Sequence, residues 1–202
     1  MPLKSTPAAG QVIQIPALNI RHAELPIVGI SPLIVHRWSE KAREQMLGKQ
    51  MRKATPAKAA KDPQNDYEES LYHLPGGGYG FPAIGFKAAA ITAVTQISGL
   101  TKVLARGAFH IRGIPTTEGE MVRIEGEPRM REDMVRIAMG TADIRYRAEF
   151  PQWSCKLDIQ YNASVIAPEQ VANLLHAAGF AVGVGEWRPE KDGQYGMFEV
   201  GQ

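Results

Sequence analysis

The most specific feature of the sequence is the stretch Ala178-Gly-Phe-Ala-Val-Gly-Val-Gly-Glu-Trp-Arg-Pro-Glu-Lys-Asp-Gly-Gln-Tyr-Gly-Met-Phe-Glu-Val200. A predicted helix precedes it, opened by Pro168 and carrying apolar residues at helical spacing as far as Ala178. Gly179 is predicted to end this helix. A glycine-rich loop over 183–196 then leads into a last strand over 195–200. Because glycine has no side chain, such a loop lets the backbone approach a ligand closely.

The segments before this stretch alternate between strand and helix signals. Residues 144–148 and 155–161 alternate apolar and polar side chains, as half-buried antiparallel strands do. Residues 108–111 and 121–124 are predicted to pair, and 82–97 is predicted to be a small-residue helix that ends at Gly99. The pattern predicts an α+β fold with an RRM-like or ferredoxin-like antiparallel sheet, helices on one face, and projecting hairpin or loop insertions.

The N-terminal part is predicted to be an arm, residues 1–20, followed by a single domain over 21–202. Prolines at 16, 26 and 32 exclude a long helix, so we expect a strand that breaks near residues 29–32. Ser39 is a good cap for a helix whose apolar stripe is Met46, Leu47 and Met51. Residues 54–67 read as a mobile basic loop.

Charge is unevenly distributed along the 202 residues, although the formal net charge is only +2. Residues 37–61 hold eight lysines and arginines against two glutamates, which predicts a contact with a polyanion. Apolar residues make up 44% of the chain, enough for a substantial core. The chain has one cysteine and no long apolar run, and its start lacks the apolar stretch of a secretory signal. We therefore expect a cytoplasmic protein that does not contact a membrane.

Enzyme signatures are weak. The stretch from Gly80 to Lys87 nearly matches a phosphate-binding loop, but its lysine stands one place late and no Ser or Thr follows. The five histidines show no metal-ligand spacing. Cys155 lies in a strand pattern and is expected to pack in the core. We expect no catalytic residue, no metal and no cofactor.

Cations and aromatic residues near the two ends of the domain indicate a nucleic-acid-binding site. His36, Arg37 and Trp38 combine cations with an aromatic face suited to base stacking. The alternative is that Trp38 is buried as part of a helix staple. In the glycine-rich loop, Arg188 and Lys191 are placed to reach phosphates, and Trp187 either stacks on a base or caps the core.

Three stretches together resemble the RAMP superfamily of CRISPR systems, and in particular the backbone subunits that polymerise along guide RNA. They are 25–35, which runs into a basic helix, 74–87 with Phe86 and Lys87 before an alanine-rich helix, and 178–200. The resemblance implies an RRM-like core, a helical homo-oligomer or filament, and a thumb hairpin, for which 107–128 is the candidate. The chain is shorter than typical backbone subunits, which favours a compact phage or mobile-element relative.

The resemblance implies sequence-independent binding of single-stranded guide RNA, with a complementary target strand and effector subunits as further partners. The residues expected to contact RNA are His36, Arg37, Trp38, Lys41, Arg43, Lys49, Arg52, Lys53, Phe86, Lys87, Trp187, Arg188 and Lys191.

Three other functions stay open. A guide-processing endoribonuclease of the same superfamily would use His36 or His73 as general base. A phage protein that anneals complementary single strands would need the same basic groove. A virion or scaffold component would be basic only incidentally. RNA and DNA are not distinguished, because both present the same phosphates.

Overall fold

The computed structural model describes residues 17–52, 60–97, 99–137 and 141–201. The strands of this part are β1 (Ile20–Gly29), β2 (Leu33–Val35), β3 (Tyr72–His73), β4 (Tyr79–Pro82), β5 (Phe109–Arg112), β6 (Ile114–Thr116), β7 (Gly119–Glu125), β8 (Arg129–Ile137), β9 (Thr141–Phe150), β10 (Ser154–Asn162) and β11 (Phe198–Val200). The α-helices are α1 (Glu40–Gln50), α2 (Pro63–Ser70), α3 (Ala83–Ala93), α4 (Lys102–Ala108) and α5 (Pro168–Ala181). The predicted α+β class with antiparallel pairing is confirmed.

Two antiparallel sheets organise the chain. The larger has the order β11-β1-β10-β7-β4-β3, with β5 also paired to β10 and β6 to β7. The smaller has the order β2-β9-β8. Helices α3 and α5 pack against each other and cover one face of the larger sheet. Alternate residues of β10, such as Leu157 and Ile159, are buried under these helices, whereas Lys156 and Asp158 are exposed on the opposite face.

An aromatic cluster holds the helices to the sheet. Phe86 of α3 lies edge-on to Phe81 and to Phe198 of β11, with ring centroids 5.6 Å apart in both pairs. Trp153 packs beside them and donates its indole N–H to the carbonyl oxygen of Ser31 at 2.9 Å. A Cβ on Gly29 would lie 2.1 Å from the Trp153 nitrogen, so β1 ends at a glycine because the indole occupies that space.

The predicted break in the opening strand is confirmed and has a structural role. β1 ends at Gly29 and β2 begins at Leu33, and these strands belong to different sheets. The bend at residues 30–32 therefore moves the chain from the larger sheet to the smaller one. Most of the predicted arm, residues 1–16, lies outside the described residues.

The long hairpin lies later in the chain than predicted. Residues 108–111 and 121–124 do not pair with each other, because β5 pairs with β10 and β7 pairs with β4, β6 and β10. The candidate thumb, 107–128, is thus mostly built into the larger sheet. The longer hairpin consists of β8 and β9, registered from Arg129 opposite Glu149 to Ile137 opposite Thr141.

Other sequence predictions need correction. Met46, Leu47 and Met51 are more than half exposed, so the stripe on α1 does not face the core. Part of the predicted basic loop is helix α2, because the Asp62 side chain accepts from the Asn65 amide and caps it; residues 53–59 lie outside the described part. Helix α5 continues through Gly179 to Ala181. No helix of the described part is long and apolar enough to cross a membrane.

Gly179→Ala tests the packing of α5 on β11. A Cβ at residue 179 would lie 1.9 Å from the carbonyl oxygen of Phe198. We therefore expect Gly179→Ala to lower the free energy of unfolding by about 1–3 kcal/mol, despite the better helix propensity of alanine. Gly48→Ala in α1 is the matched control, since a Cβ there meets nothing within 4 Å. Urea denaturation measures both, and equal effects would contradict the packing.

Candidate nucleic-acid interface

The glycine-rich loop is fastened to β2 by backbone hydrogen bonds. The Glu186 amide donates to the Ile34 carbonyl at 2.9 Å, and the Gly196 amide donates to the Pro32 carbonyl at 2.8 Å. A Cβ on Gly185 would lie 2.5 Å from the Ile34 oxygen, and one on Gly196 would lie 1.7 Å from the Val184 oxygen. These glycines are thus required for the loop to pack on β2 and on itself, a reason that the sequence alone did not reveal.

Beneath the loop, one face of the smaller sheet carries alternating charges. Arg145, Arg147 and Glu149 point to one face of β9, since side chains two residues apart lie on the same side of a strand. The cross-strand neighbours on β8 supply the remaining charges of this face. We call this set the ionic ladder: Arg129, Arg131, Asp133, Arg145, Arg147 and Glu149.

Each buried carboxylate of the ionic ladder lies between two arginines. Glu149 accepts from Arg129 Nε at 2.8 Å and from Arg131 Nη1 at 3.1 Å. Asp133 accepts from Arg131 Nε at 2.8 Å and contacts Arg147 Nη1 at 3.4 Å. Both carboxylates are at least nine-tenths buried, and buried charged groups are found where they are paired, as both are here.

Two arginines of the ionic ladder have hydrogen-bonding or ion-pairing groups that no described residue occupies. Arg147 is only 2% exposed, its Nε has no hydrogen-bond partner within the described part, and burial lowers the pKa of its guanidinium. Arg145 has no carboxylate within ion-pair distance among the same residues. The ladder therefore carries more positive than negative charge at the edge of the loop.

Trp187 is held at the surface by an unusual backbone conformation. Its φ is +55°, a left-handed value that is costly for a bulky residue, and its side chain is 39% exposed. Its ring stands edge-on to Tyr195 with centroids 6.4 Å apart. The Arg131 guanidinium lies 4.7 Å from the Tyr195 centroid and 5.9 Å from the Trp187 centroid. The arrangement fixes an exposed aromatic ring next to a cation.

His36 lies where β2, β9 and the loop meet. Its Nδ1 is 3.8 Å from a carboxylate oxygen of Glu186. Burial is the main cause that lowers its pKa, and the positive charges of Arg147 and Arg145 act in the same direction, while Glu186 opposes them. The imidazole is thus favoured in its neutral form, which both donates and accepts hydrogen bonds.

A cleft of about 310 Å³ opens between the loop and α3. Gly85, Ala88 and Thr92 form its helical wall, while His36 and Glu186 line it from the loop side. Tyr72 also lines the cleft, and burial raises the pKa of its hydroxyl, so this group stays protonated.

The two predicted phosphate contacts of the loop differ in availability. Arg188 is engaged within the loop, because its Nη2 lies 2.7 Å from Glu190 and its Nη1 donates to the Gly185 carbonyl at 3.0 Å. Lys191 is exposed. The structure therefore gives Arg188 a role in shaping the loop.

The three residues after β2, His36 to Trp38, were predicted to contact RNA together, but they have different surroundings. His36 lines the cleft, whereas Trp38 lies at the surface. Arg37 is tied to Glu118, with Nε and Oε1 2.6 Å apart. Trp38 is 57% exposed, so the alternative of a buried Trp38 is wrong. The Arg43 guanidinium lies 5.9 Å from the Trp38 ring centroid, which makes a second exposed pair of a cation and an aromatic ring.

Other predicted contacts lie elsewhere. Phe86 is fully buried in the aromatic cluster, so its prediction as an RNA contact is wrong. Lys87 is at the sheet edge, where its Nζ donates to the Arg106 carbonyl at 3.1 Å and lies 3.0 Å from His110 Nδ1. Arg52 is exposed in the turn that follows α1. The side chains of Lys41 and Lys49, and the whole of Lys53, lie outside the described residues.

Sequence reasoning missed the ionic ladder and Tyr195. The signal was present as arginines two residues apart, in Arg129-Met-Arg131 and in Arg145-Tyr-Arg147. That spacing in a strand places both cations on one face. This signal could be interpreted only with the knowledge that β8 and β9 pair with each other and lie beside the loop.

Nothing in the described residues adds a metal centre or an activated thiol. No group of three potential metal ligands occurs among them. Burial raises the pKa of Cys155 to about 12, which suits the predicted packing role.

Comparison with known proteins gives similarity in structure but not in sequence. No family model matches the chain, and no curated protein matches it. Among 35 matching chains of solved structures is the crystal structure of Cmr6 from Pyrococcus furiosus. That match has 10% identity and a TM-score of 0.44, and it covers 92% of this chain and 100% of the other.

A second structural match is a chain of the cryo-EM structure of Type III-B Cmr-beta bound to cognate target RNA. It has 11% identity and a TM-score of 0.52, covering 91% of this chain and 60% of the other. This chain is thus similar in fold to that one chain of the Cmr-beta structure.

The environment of His36 predicts a pH dependence of stability. Because its pKa is lowered from 6.5 in the folded protein, the unfolded chain binds the proton first as the pH falls. The free energy of unfolding should therefore decrease below about pH 6.5 down to the folded pKa. Urea denaturation at pH 7.5 and 5.5 should show a smaller decrease for His36→Gln than for the parent. His176→Gln, at an exposed position of α5, is the control. An equal decrease in the free energy of unfolding for His36→Gln and for the parent would contradict the role given to His36.

Proposed function

We propose that the protein binds the backbone of single-stranded RNA without reading its sequence, as a cytoplasmic, non-catalytic subunit of an RNA-guided assembly. The glycine-rich loop, residues 183–196, is the main contact. The observation that carries the proposal is Trp187, an exposed ring held at a left-handed φ beside Arg131 and Tyr195. Strained residues persist where the surrounding structure fixes them, and they concentrate at binding sites.

The strand arrangement supports a RAMP-type, ferredoxin-like core. In chain order the elements β1, α3, β5, β10, α5 and β11 follow a β-α-β-β-α-β sequence. In space β1 and β10 are central, with β11 beside β1 and β5 beside β10. The fold similarity to the Cmr-beta chain, in a structure that contains target RNA, points in the same direction.

The mechanism combines stacking with charge. A base stacks on the exposed face of Trp187, which every base can do, so the contact does not depend on sequence. Arg145 of the ladder and Lys191 of the loop neutralise phosphates of the same strand. The exposed pair of Trp38 and Arg43 offers a second contact of the same kind on α1.

The open face of the larger sheet is a poor alternative site. Its exposed charges face each other as opposite pairs: Lys156 lies 3.4 Å from Glu24, and Arg112 lies 2.9 Å from Glu120. An RNA-binding sheet of the RRM type stacks bases on aromatic side chains. We therefore place the RNA at the loop.

The wider assembly follows from the same proposal. Neighbouring copies along one strand form a homo-oligomeric filament, and a complementary target strand and effector subunits complete the complex. Guide pairing, not this protein, then selects the target.

A second candidate, the endoribonuclease, gains one specific observation. His36 is next to Glu186 and has a lowered pKa, so it is an imidazole able to accept a proton. Hairpin RNA incubated with the protein in EDTA distinguishes the two functions. Our proposal expects intact RNA, whereas cleavage that is lost in His36→Ala would establish the enzyme.

Trp187→Ala tests the stacking contact. Loss of one base–aromatic stack should weaken binding of a single-stranded RNA by about 1–3 kcal/mol, measured by fluorescence anisotropy. Trp187→Phe keeps a ring and should recover part of this loss. Because no charge changes, the dependence of affinity on salt should stay the same in both variants. Unchanged affinity of Trp187→Ala would place the RNA elsewhere.

Arg145→Gln tests the charge contact. Removing one phosphate contact should lower the slope of log affinity against log salt by about 0.7. Arg112→Gln is the matched control, because this arginine lies on the open face and is paired with Glu120; its slope should equal that of the parent. A salt slope of Arg145→Gln equal to the parent's would remove Arg145 from the interface. DNA of the same sequence, run in parallel, decides between RNA and DNA.

A further inference from the structure

The cleft between α3 and the glycine-rich loop has the dimensions and chemistry of a nucleobase site. Its volume of about 310 Å³ is at the lower end of ligand pockets. One wall consists of the small residues Gly85, Ala88 and Thr92, which leave space beside the backbone of α3. The other wall is loop backbone, with His36 and Glu186 among the lining residues. A flat ring with a polar edge fits this combination.

The charges lining the cleft disfavour a phosphate there. Glu186 and Glu190 both line it, and Arg188, the one arginine or lysine among the described lining residues, is already bonded to Glu190 and to the Gly185 carbonyl. An anion in the cleft would therefore face two carboxylates and no unpaired cation among these lining residues, since Arg147 is buried behind them. The carboxylate oxygens of Glu186 are hydrogen-bond acceptors, so Glu186 favours a ligand that presents N–H groups.

We propose that this cleft takes one unstacked base of the bound strand and that Glu186 selects bases with an exocyclic amino group. Cytosine offers an amino donor at the position where uracil has a carbonyl acceptor, and glutamate accepts from the cytosine amino group in known base contacts. The carboxylate repels the uracil carbonyl. Glu186 is thus a specificity-determining residue that adds a base preference at one point of an otherwise sequence-independent contact. This inference rests on the proposed RNA binding.

The test compares oligocytidine and oligouridine of equal length. Both are pyrimidine strands, so the exocyclic group is the main difference between them. The parent protein should bind oligocytidine about tenfold more tightly at fixed salt, the size of one discriminating base contact. Glu186→Gln presents both a donor and an acceptor, so its ratio of affinities should fall towards one. An unchanged ratio in Glu186→Gln would overturn the assignment.

A second variant tests the cleft itself. Ala88 is exposed and lines the cleft, so Ala88→Phe fills it from the helical side without disturbing the core. Ala88→Phe should lose the cytidine preference and retain binding to oligouridine. Ile84→Phe, at an exposed position of the same helix that does not line the cleft, should keep the preference.

The outcomes separate this inference from the proposed function. Equal, salt-sensitive binding of both oligonucleotides by the parent would overturn the base site and leave the backbone contact standing. No binding of either oligonucleotide would overturn both. Retained preference in Ala88→Phe would show that the selection arises outside the cleft.

Discussion

The glycine-rich loop docks onto β2, and this contact joins the two sheets and positions the candidate site. β2 is a short strand of the smaller sheet, and it follows the bend after Gly29. The loop joins α5 to β11, which is an edge strand of the larger sheet. The backbone bonds of Glu186 to Ile34 of β2, and of Gly196 to Pro32 just before β2, therefore connect the two sheets. They are possible only because Gly185 and Gly196 have no Cβ. One packing constraint thus positions the aromatic ring, the cleft and His36 together.

Charge at this junction is arranged by the strand periodicity. Buried carboxylates at 133 and 149 hold arginines in place, and the excess positive charge of the ladder lies at the edge of the loop. Burying so many ions costs free energy that the pairing only partly offsets. Retaining them at a surface next to an exposed tryptophan is consistent with a role in binding, which hydrophobic residues of the same volume would not support.

Most of the fold was predictable from local patterns. Alternation in 155–161, the apolar face of α5 and the prolines before residue 33 predicted the corresponding elements, because each signal arises within a few residues. The failures came from tertiary contacts. Gly179 was predicted to end α5, but it lies within the helix. A glycine stands there because β11 passes so close that a Cβ would clash with it. Helix α1 has an apolar stripe by spacing, although nothing in the described part covers it.

The candidate site was predictable in part. Trp187, His36 and Lys191 were found from composition and position, and they lie on or beside the loop. The role of Phe86 was misjudged, because helix position alone does not tell which side faces the core. The ionic ladder was missed because its arginines join the loop only through the hairpin of β8 and β9, whose place beside β2 is a long-range contact.

The nucleic-acid content of the natively purified protein shows whether it binds RNA. The absorbance ratio at 260 and 280 nm, followed by nuclease digestion and sizing of the bound strand, identifies what the protein carries. We expect RNA of defined length in a particle of high mass. A monomer free of nucleic acid, showing no salt-sensitive binding when single-stranded RNA is added, would contradict this expectation.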